Sequence, residues 1–326
     1  MCTTVNLLFG FRDSNAGRIL ASMLVAITGS TGYVGRAIVQ KLHRRDHELR
    51  ALVRRPDRAG PLEDLGVQLV AGALSDPAAL RSLVEGAGAV VHLVGIIAEA
   101  GRLTFESVHV SGTAAVVEAA RQAGVPLVLH MSALGARANA ATRYHRTKWQ
   151  AEEVVRTSGQ PHAIFRPSLV AGPGNAALKT MVDMIRFSPV VPVIGDGRYA
   201  MQPVWLGDVA EAFALALERT DLRGSFDLGG PEQLSYHQML DHLEDALGVR
   251  RRRIPVPVGI ARFAAAAGAA LPNVAPITSD QLQMLLEGNV TADNAVASRF
   301  GISPRTFAEV AREVCAPHAA RPVTTS

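Results

Sequence analysis

Short apolar runs alternate with amphipathic segments along the first half of the chain. The apolar runs have the length of β-strands and lie at 23–27, 48–53, 67–70, 89–94, 127–131 and 163–165. Between them, apolar residues recur at helical spacing, most clearly at 34–42, 77–84 and 105–123. This alternation predicts βαβ units, in which a parallel sheet is covered by helices on both faces. The run at 89–94 is apolar throughout, which predicts a central strand.

The pattern loosens beyond residue 170. A short strand is predicted at 225–228, and helices are predicted at 181–187, 208–217, 236–247, 260–271, 279–286 and 306–315. We therefore expect an α/β fold, a Rossmann-type doubly wound parallel sheet with a smaller, mainly helical C-terminal substrate or partner region. The sheet domain is expected over 23–170, with 202–230 returning to it, and the second region over 171–201 and 231–316. Residues 1–22 and 317–326 are expected to form loose tails.

The composition is that of an ordinary globular protein. Of its 326 residues, 48% are hydrophobic and 19% charged, and the net charge of +4 does not fit a dedicated nucleic-acid binder. Cys2 and Cys315 lie near opposite ends, and neither the cysteines nor the histidines show a metal-ligand spacing, so no metal site is expected. The sequence shows no apolar run of membrane-spanning length and no clean signal-peptide pattern. These features favour a cytoplasmic protein.

A glycine-rich turn joins the first predicted strand to the first predicted helix. It reads Thr28-Gly29-Ser30-Thr31-Gly32-Tyr33-Val34-Gly35. Gly29 permits the tight turn, Gly32 lets the backbone approach a pyrophosphate, and Gly35 lets the helix pack closely on the strand. The free N–H groups that begin the helix then face the phosphates. Glycines also occur in plain strand-to-helix turns, but strand, turn and helix together predict a dinucleotide site formed by residues 29–35.

The second predicted strand ends in Arg54 and Arg55. NAD-preferring proteins place a carboxylate here, on the ribose hydroxyls. A guanidinium could instead hold a 2′-phosphate, although a solvated arginine at a strand end would have the same sequence. We therefore expect NADP(H) as the preferred cofactor and NAD(H) as the alternative. Further cofactor contacts are expected near other strand ends, from Leu74, Val94, Gly95, Lys148 and Pro167.

Tyr144 and Lys148 are four residues apart and therefore share one face of a helix. Ser132 follows the strand predicted at 127–131. Lys148 would lower the pKa of the phenol and hydrogen-bond the nicotinamide ribose, Tyr144 would exchange a proton with a substrate oxygen, and Ser132 would orient that oxygen. The tyrosine and lysine alone would also fit a surface helix. Their position after the fifth strand favours a catalytic trio of Ser132, Tyr144 and Lys148.

These motifs stand in the order and spacing of a known family. The glycine motif, Ser132, Tyr144-x-x-x-Lys148 and Arg166-Pro167-Ser168 resemble an extended short-chain dehydrogenase/reductase of the NAD-dependent epimerase/dehydratase-like type. A narrower resemblance, to the atypical branch that includes the 39-kDa accessory subunit of respiratory complex I, rests on 130–136, 202–210, 276–282 and 288–290. The similarity covers roughly residues 23 to 315.

The resemblance also sets an expectation for His109. In active reductases of this family, the long helix after the fourth strand often carries an asparagine that completes a proton relay, and His109 stands at the matching position. Histidine can relay protons, but it can also be a satisfied helix residue. The family itself is divided, because its complex I members bind NADPH and are generally regarded as structural.

The sequence therefore predicts an NADP(H)-binding short-chain reductase-like enzyme that moves hydride between the nicotinamide and a carbonyl or alcohol of unknown identity. A non-catalytic NADP(H)-binding scaffold or assembly factor is the first alternative, and a sugar-nucleotide epimerase or dehydratase the second. The run Arg250–Arg253 precedes the apolar stretch 256–271. It is either a solvated basic loop or a contact for a membrane complex or anionic lipid, which would place the protein peripherally on the inner face of the membrane.

Overall fold

Seven parallel strands form the main sheet of the protein. The computed structural model describes residues 22–270 and 277–318. The strands of this sheet are β1 (Leu24–Thr28), β2 (Glu48–Val53), β3 (Gln68–Ala71), β4 (Ala89–His92), β5 (Val128–Met131), β6 (His162–Pro167) and β11 (Gly224–Leu228). Their order is β11-β6-β5-β4-β1-β2-β3. The chain thus reverses its direction across the sheet between β1 and β4, and ligands bind at the carboxyl ends of strands at such a switch point.

Six shorter strands lie outside this sheet. They are β7 (Val170–Ala171), β8 (Val190–Ile194), β9 (Ala200–Met201), β10 (Val204–Trp205), β12 (Leu234–Ser235) and β13 (Arg252–Val256). Pairs β7–β10 and β8–β13 are parallel, and β9–β12 is antiparallel. None of the six was predicted, because two-residue strands have no readable period and the prolines and arginines of β8 and β13 are typical of loops.

The α-helices cover both faces of the sheet and build the C-terminal region. They are α1 (Tyr33–His43), α2 (Gly60–Glu63), α3 (Pro77–Val84), α4 (Gly112–Gln122), α5 (Arg143–Thr157), α6 (Ala176–Phe187), α7 (Leu206–Glu218), α8 (Tyr236–Leu247), α9 (Val258–Ala270), α10 (Ser279–Glu287), α11 (Ala295–Ser298) and α12 (Phe307–Cys315). Short 3-10 turns occupy Pro56–Arg58 and Ala316–His318.

Alternate residues of the strands divide the core into two layers. Ile27 and Phe165 point to the face covered by α1 and α7, and Val90 and Ile164 point to the face covered by α3, α4 and α5. A third apolar cluster, centred on Leu178, Leu240 and Phe307, joins α6, α8 and α12. Two buried faces explain why the central strand, β4, is apolar at its first three positions.

Two sequence predictions need correction. The helix predicted over 105–123 begins as a π turn, Glu106–Ser111, before α4. A π turn adds a residue to the helical repeat, which a prediction from periodicity does not register. In addition, α11 and Phe300 pack into the main core although they fall in the predicted C-terminal region, because Asn294 pairs with Asp227 beside β11.

Some predicted features lie outside the described residues. These are the tails, apart from Ser22 and residues 317–318, and also Cys2. Over 22–270 and 277–318, no helix combines the length and apolar character needed to cross a bilayer, and no group of three or more histidine, cysteine or acidic side chains is placed to hold a metal. Cys315 is buried in the core of the C-terminal region.

Candidate active site

The glycine-rich turn is held close to the sheet by contacts that exclude a side chain. Gly29 has φ +79°, a left-handed conformation that favours glycine. A Cβ built on Gly35 would lie 2.1 Å from the carbonyl oxygen of Gly29, so α1 can approach the turn only with a glycine here. Gly32 is the N-cap of α1 and provides no side-chain cap. The first N–H groups of α1 therefore remain available to phosphate oxygens.

Two polar groups of this turn fit a bound dinucleotide. Ser30 Oγ and the Tyr33 hydroxyl are buried, and neither finds a hydrogen-bond partner in the described part of the chain. A Cβ on Gly172 would lie 3.0 Å from that hydroxyl, so Tyr33 reaches across to the loop that follows β7. Buried polar groups without partners are rare in native proteins, and a ligand at the turn would satisfy them. The residues present therefore fit a nicotinamide dinucleotide.

Arg54 and Arg55 lie beside this turn at the end of β2. The register pairs Thr28 with Leu52, so the residues after β2 stand next to the glycine-rich turn. Both arginines are exposed, and neither has an ion pair or hydrogen bond within the described residues. Their guanidinium groups are free to meet an anion beside the glycine-rich turn.

The other predicted cofactor contacts lie along the same edge of the sheet. Leu74 packs on Gly112, where an added Cβ would be 2.7 Å from Leu74 Cδ1. Val94 is half-buried, and Pro167 is buried at the end of β6. A Cβ on Gly95 would lie 3.8 Å from Lys148 Nζ, so this loop runs directly past the lysine.

Helix α5 carries the tyrosine and lysine of the predicted trio. The Thr142 side chain caps its first turn by accepting from the backbone N–H of His145. Lys148 is buried and donates from Nζ to the carbonyl oxygen of Met131 at 2.6 Å, which ties α5 to the end of β5. Ser132 follows that strand, and its hydroxyl is buried without a partner among the described residues. An acceptor or donor from a substrate would satisfy it.

Tyr144 is held by aromatic neighbours rather than by a hydrogen bond to Lys148. Its ring meets the edges of His109 and Phe105, at centroid distances of 5.5 Å and 5.9 Å. Burial raises the pKa of Tyr144 to about 12. The prediction that Lys148 lowers the pKa of this phenol is therefore wrong for the protein alone, because desolvation outweighs any attraction from the lysine. Burial also lowers the pKa of Lys148 to about 8.

His109 is a fully hydrogen-bonded residue of the π turn. Its Nδ1 lies 2.9 Å from Thr147 Oγ1 on α5, and its Nε2 lies 3.1 Å from both the backbone nitrogen and the carbonyl oxygen of Ile96. Either tautomer satisfies both ring nitrogens, since hydroxyl and peptide can each donate or accept. Burial, and the charge of Lys148, lower the pKa of His109 to about 3. The ring is therefore neutral and joins the loop after β4 to α5.

A cavity of about 280 Å³ opens next to α5. It is lined by Leu134, Gly135, Arg137, His145, Glu287, Gly288, Asn289 and Val290. His145 Nε2 and Asn289 Oδ1 are buried without partners in the described chain. Arg137 and Glu287 form an ion pair of 3.5 Å between these walls. The cavity thus offers two polar atoms without partners among the described residues, and the ring of His145 lies 5.3 Å from that of Tyr144. Sequence reasoning missed both atoms because the cavity walls come from segments about 140 residues apart.

The Gln-Pro-Val segment joins two parts of the chain that are distant in sequence. The Gln202 amide donates to the Gly230 carbonyl at 2.9 Å and accepts from the backbone N–H of Thr291 at 2.9 Å. Its backbone N–H donates to the Asn289 carbonyl at 3.0 Å. Gln202 therefore fixes the strand end after β11 and the cavity wall at Asn289, which gives a structural reason for the two segments singled out by the narrower resemblance.

The last two residues of the run Arg250–Arg253 belong to a strand rather than to a loop. Arg252 and Arg253 begin β13, where Arg253 pairs with Asp241 and Glu244. Arg251 donates to the carbonyl oxygen of Ile185 at 2.6 Å, and Arg250 pairs with Asp245. Most of these arginines are therefore paired with other residues of the chain. Within the run, only Arg252 is exposed without a described partner.

The strand order, the glycine-rich turn and the trio at the carboxyl edge of the sheet are those of a Rossmann-type protein that binds a nicotinamide dinucleotide. Comparison with known proteins agrees. The NAD(P)H-binding family model matches residues 29–183, and the RmlD substrate binding domain model matches residues 135–297. The chain belongs to the NAD(P)-binding, Rossmann-type short-chain dehydrogenase/reductase and epimerase-like family, which confirms the resemblance seen in the sequence.

Individual relatives include reductases and a complex I subunit. The chain is 34% identical over 238 residues to a ceramide reductase of Caulobacter vibrioides, covering 72% of this chain and 74% of that protein. It is 27% identical over 304 residues to NADH dehydrogenase [ubiquinone] 1 alpha subcomplex subunit 9 of Arabidopsis thaliana, covering 87% and 75%. The NADPH-dependent quinone oxidoreductase QOR2 of Escherichia coli has the same fold, with a TM-score of 0.71 at 22% identity over 89% of this chain and 98% of that one.

Proposed function

We propose that the protein is an NADP(H)-dependent reductase that converts a carbonyl group into an alcohol. One observation carries the proposal: Ser132, Tyr144 and the buried Lys148 lie at the carboxyl edge of the sheet, beside a glycine-rich turn that fits a dinucleotide, and the Ser132 hydroxyl has no partner among the described residues. Bound NADPH would supply the hydride. The chain supplies the proton and holds the carbonyl oxygen.

The protonated state of Tyr144 suits donation of a proton to a substrate oxygen. Because burial raises the pKa of Tyr144 to about 12, the phenol keeps its proton near neutrality and can donate it to the substrate oxygen as negative charge develops there. Ser132 donates a second hydrogen bond to that oxygen. The protonated Lys148, whose Nζ lies beside Gly95, stabilises the phenolate that remains after proton transfer.

The preference for NADP(H) rests on the end of β2. Arg54 and Arg55 are exposed and unpaired among the described residues, and no acidic residue follows this strand before Asp57. A 2′-phosphate offers three charged acceptor oxygens to the two guanidinium groups, whereas an unphosphorylated ribose offers only a neutral hydroxyl.

We propose a carbonyl-bearing lipid as the substrate class. The ceramide reductase of Caulobacter vibrioides, at 34% identity, is named for a lipid substrate. The cavity beside α5 has room for a polar head group, and His145 Nε2 and Asn289 Oδ1 would bind its hydroxyl or amide groups. The bulk of such a molecule would extend from the cavity.

The test follows NADPH absorbance while the full chain is mixed with dispersed ketones and aldehydes of long-chain lipids. Wild type should consume NADPH with at least one of them, and Tyr144→Phe should lower kcat by about 10²- to 10⁴-fold, the usual contribution of an acid–base group. Tyr144→Phe should still bind NADPH, as measured by fluorescence. Unchanged turnover in Tyr144→Phe would reject the assignment.

A second function is a scaffold that binds NADP(H) without turnover. It is favoured by His109, which stands where the family often has a relay asparagine but has both ring nitrogens engaged, and by the similarity to the complex I subunit. Tight NADPH binding, with no consumption against the lipid carbonyls and short-chain aldehydes, would favour this role over the reductase.

A further inference from the structure

Helix α9 presents an apolar stripe to solvent. Its members share the spacing i, i+3, i+4, i+7 and are exposed: Ile260, Phe263, Ala264 and Ala267. Phe263 is 76% exposed and Ile260 is 59% exposed, unusual values for such large apolar side chains. The opposite side of α9, at Ala261 and Ala265, is buried against Leu282 of α10. The helix is therefore apolar on both sides, although the described residues cover only one of them.

The apolar surface extends from α9 onto the neighbouring strands. Ile254 of β13 is 43% exposed and pairs in register with Pro192 of β8, which is exposed on the same side. Arg251 ties this ribbon to the end of α6, where Phe187 is 74% exposed. Val256, on the same side of β13 as Ile254, packs against Ala261 and Ala265, so Ile254 lies on the α9 side of this ribbon. We call the exposed side chains of Ile254, Ile260 and Phe263 the α9 patch.

Two exposed arginines border the α9 patch. Of the five arginines in residues 246–279, Arg250 and Arg253 are paired with acidic residues of α8 and Arg251 with a backbone carbonyl, which leaves Arg252 and Arg262. Arg252 lies on the same side of β13 as Ile254, and Arg262 is the neighbour of Phe263; both are exposed and unpaired within the described chain. The patch thus combines aromatic and aliphatic side chains with a basic border.

We propose that the α9 patch docks the protein on the interface of an anionic lipid bilayer. Phe263 and Ile260 enter the boundary between head groups and acyl chains, and Arg252 and Arg262 contact lipid phosphates. This pairing of an apolar helix face with arginines is the composition that binds interfacially, where each basic residue adds attraction to anionic lipid. The inference does not depend on the proposed reductase activity, since the patch contains no member of the trio.

The experiment is co-sedimentation of the full chain with vesicles. One set contains phosphatidylcholine alone and the other equal parts of phosphatidylcholine and phosphatidylglycerol. Wild type should bind the anionic set. The double variant Ile260→Ser with Phe263→Ser should bind it more than about tenfold less tightly, because two large apolar side chains no longer enter the bilayer. Arg252→Gln should weaken binding about fivefold, and only on the anionic set.

Matched controls test the location of the patch. Leu103→Ser removes another exposed apolar side chain, 42% exposed, and Arg81→Gln removes another exposed arginine. Both should bind as wild type does. Equal binding by the double variant, or equal binding of wild type to both vesicle sets, would overturn the proposal. So would a wild type that ignores vesicles but elutes in size-exclusion chromatography as a dimer, if the double variant elutes as a monomer, because the patch would then join two copies of the chain.

Discussion

A hydrogen bond of 2.9 Å joins His109 Nδ1 to Thr147 Oγ1, across 38 residues of sequence. Since the other ring nitrogen contacts Ile96, the imidazole clamps the loop after β4 onto the helix that carries Tyr144. We infer that His109 positions α5 rather than exchanging protons, because its ring is neutral and both ring nitrogens are engaged.

Replacing His109 should loosen this clamp without removing a proton-transfer group. We expect His109→Leu to lower stability by about 1–3 kcal/mol, the value of two lost buried hydrogen bonds, and to lower kcat for NADPH oxidation. The shape of the pH–rate profile should stay that of wild type, because the pKa of His109 is already about 3. His109→Gln, which can keep one bond, should recover part of both losses. Loss of a titration step in His109→Leu would mean that the ring relays protons.

Arg54 should decide between the two nicotinamide dinucleotides. Arg54→Asp removes a guanidinium from the 2′-phosphate and places a carboxylate where ribose hydroxyls can donate to it. We expect NADPH affinity to fall about ten- to hundredfold, the worth of a charge-assisted hydrogen bond, and NADH affinity to rise. Arg81→Asp makes the same charge change on α3 and should alter neither. Fluorescence titration with both cofactors measures this, and an unchanged ratio of affinities would exclude Arg54 from the site.

Gly35 should tolerate no side chain. The Cβ of Gly35→Ala would stand 2.1 Å from the Gly29 carbonyl oxygen, so α1 or the turn must move. We expect a loss of about 1–3 kcal/mol in unfolding free energy, as for other overpacked sites, and a loss of NADPH binding. Gly60→Ala is the control, because its Cβ meets no atom within 4 Å. Urea unfolding of the two variants, with and without NADPH, measures both losses. Equal unfolding free energies for Gly35→Ala and Gly60→Ala would contradict the close contact at the turn.

Acid should destabilise the protein through its buried histidines. His92 and His130 stack at 5.4 Å inside the sheet edge, and burial lowers the pKa of His92 to about 3 and that of His130 well below its usual value. The unfolded chain takes up these protons below about pH 6.5, so the unfolding free energy falls as pH drops from there, by about 1.4 kcal/mol per pH unit for each ring.

His130→Leu isolates one of these rings. Both its ring nitrogens are buried without partners in the described chain, so leucine removes a titrating group at little cost in hydrogen bonds. The acid slope of urea unfolding free energy should become shallower by about one proton. An identical slope in wild type and His130→Leu would show that this ring is not buried in its neutral form.

Lys148 should act on stability at the other end of the pH range. Because burial lowers its pKa from 10.5 to about 8, the native chain loses this proton before the unfolded chain does. Below about pH 8 the charged form therefore costs stability, and the unfolding free energy should rise as pH increases from there toward 10.5. Lys148→Met should lack this rise. Thermal unfolding of wild type and Lys148→Met at several pH values between about 8 and 10.5 measures this difference. If the stabilities of the two proteins change in parallel with pH, Lys148 is not a buried cation.

Local spacing predicted much of the fold and part of the site. The helix predicted at 77–84 matches α3 residue for residue, since Asp76 caps it by accepting from the backbone N–H groups of Ala78 and Ala79. The central strands follow from apolar runs buried on both faces, as in β4, whereas the edge strand β3 is only partly buried. Tyr144 and Lys148 could be paired because one helical turn brings i and i+4 together, and the chemistry of a glycine-rich turn is likewise local.

The burial and the contacts of these residues were decided only by the tertiary structure. The raised pKa of Tyr144 follows from burial, which has no local signature. The clamp by His109, the cavity wall at Asn289 and the joint at Gln202 each combine segments far apart in the chain. The arginine run is also explained by distant segments, because most of its guanidinium groups bind to residues of α6 and α8. Sequence spacing reports neighbours within a turn or strand, whereas desolvation and pairing depend on which distant segments the fold brings together.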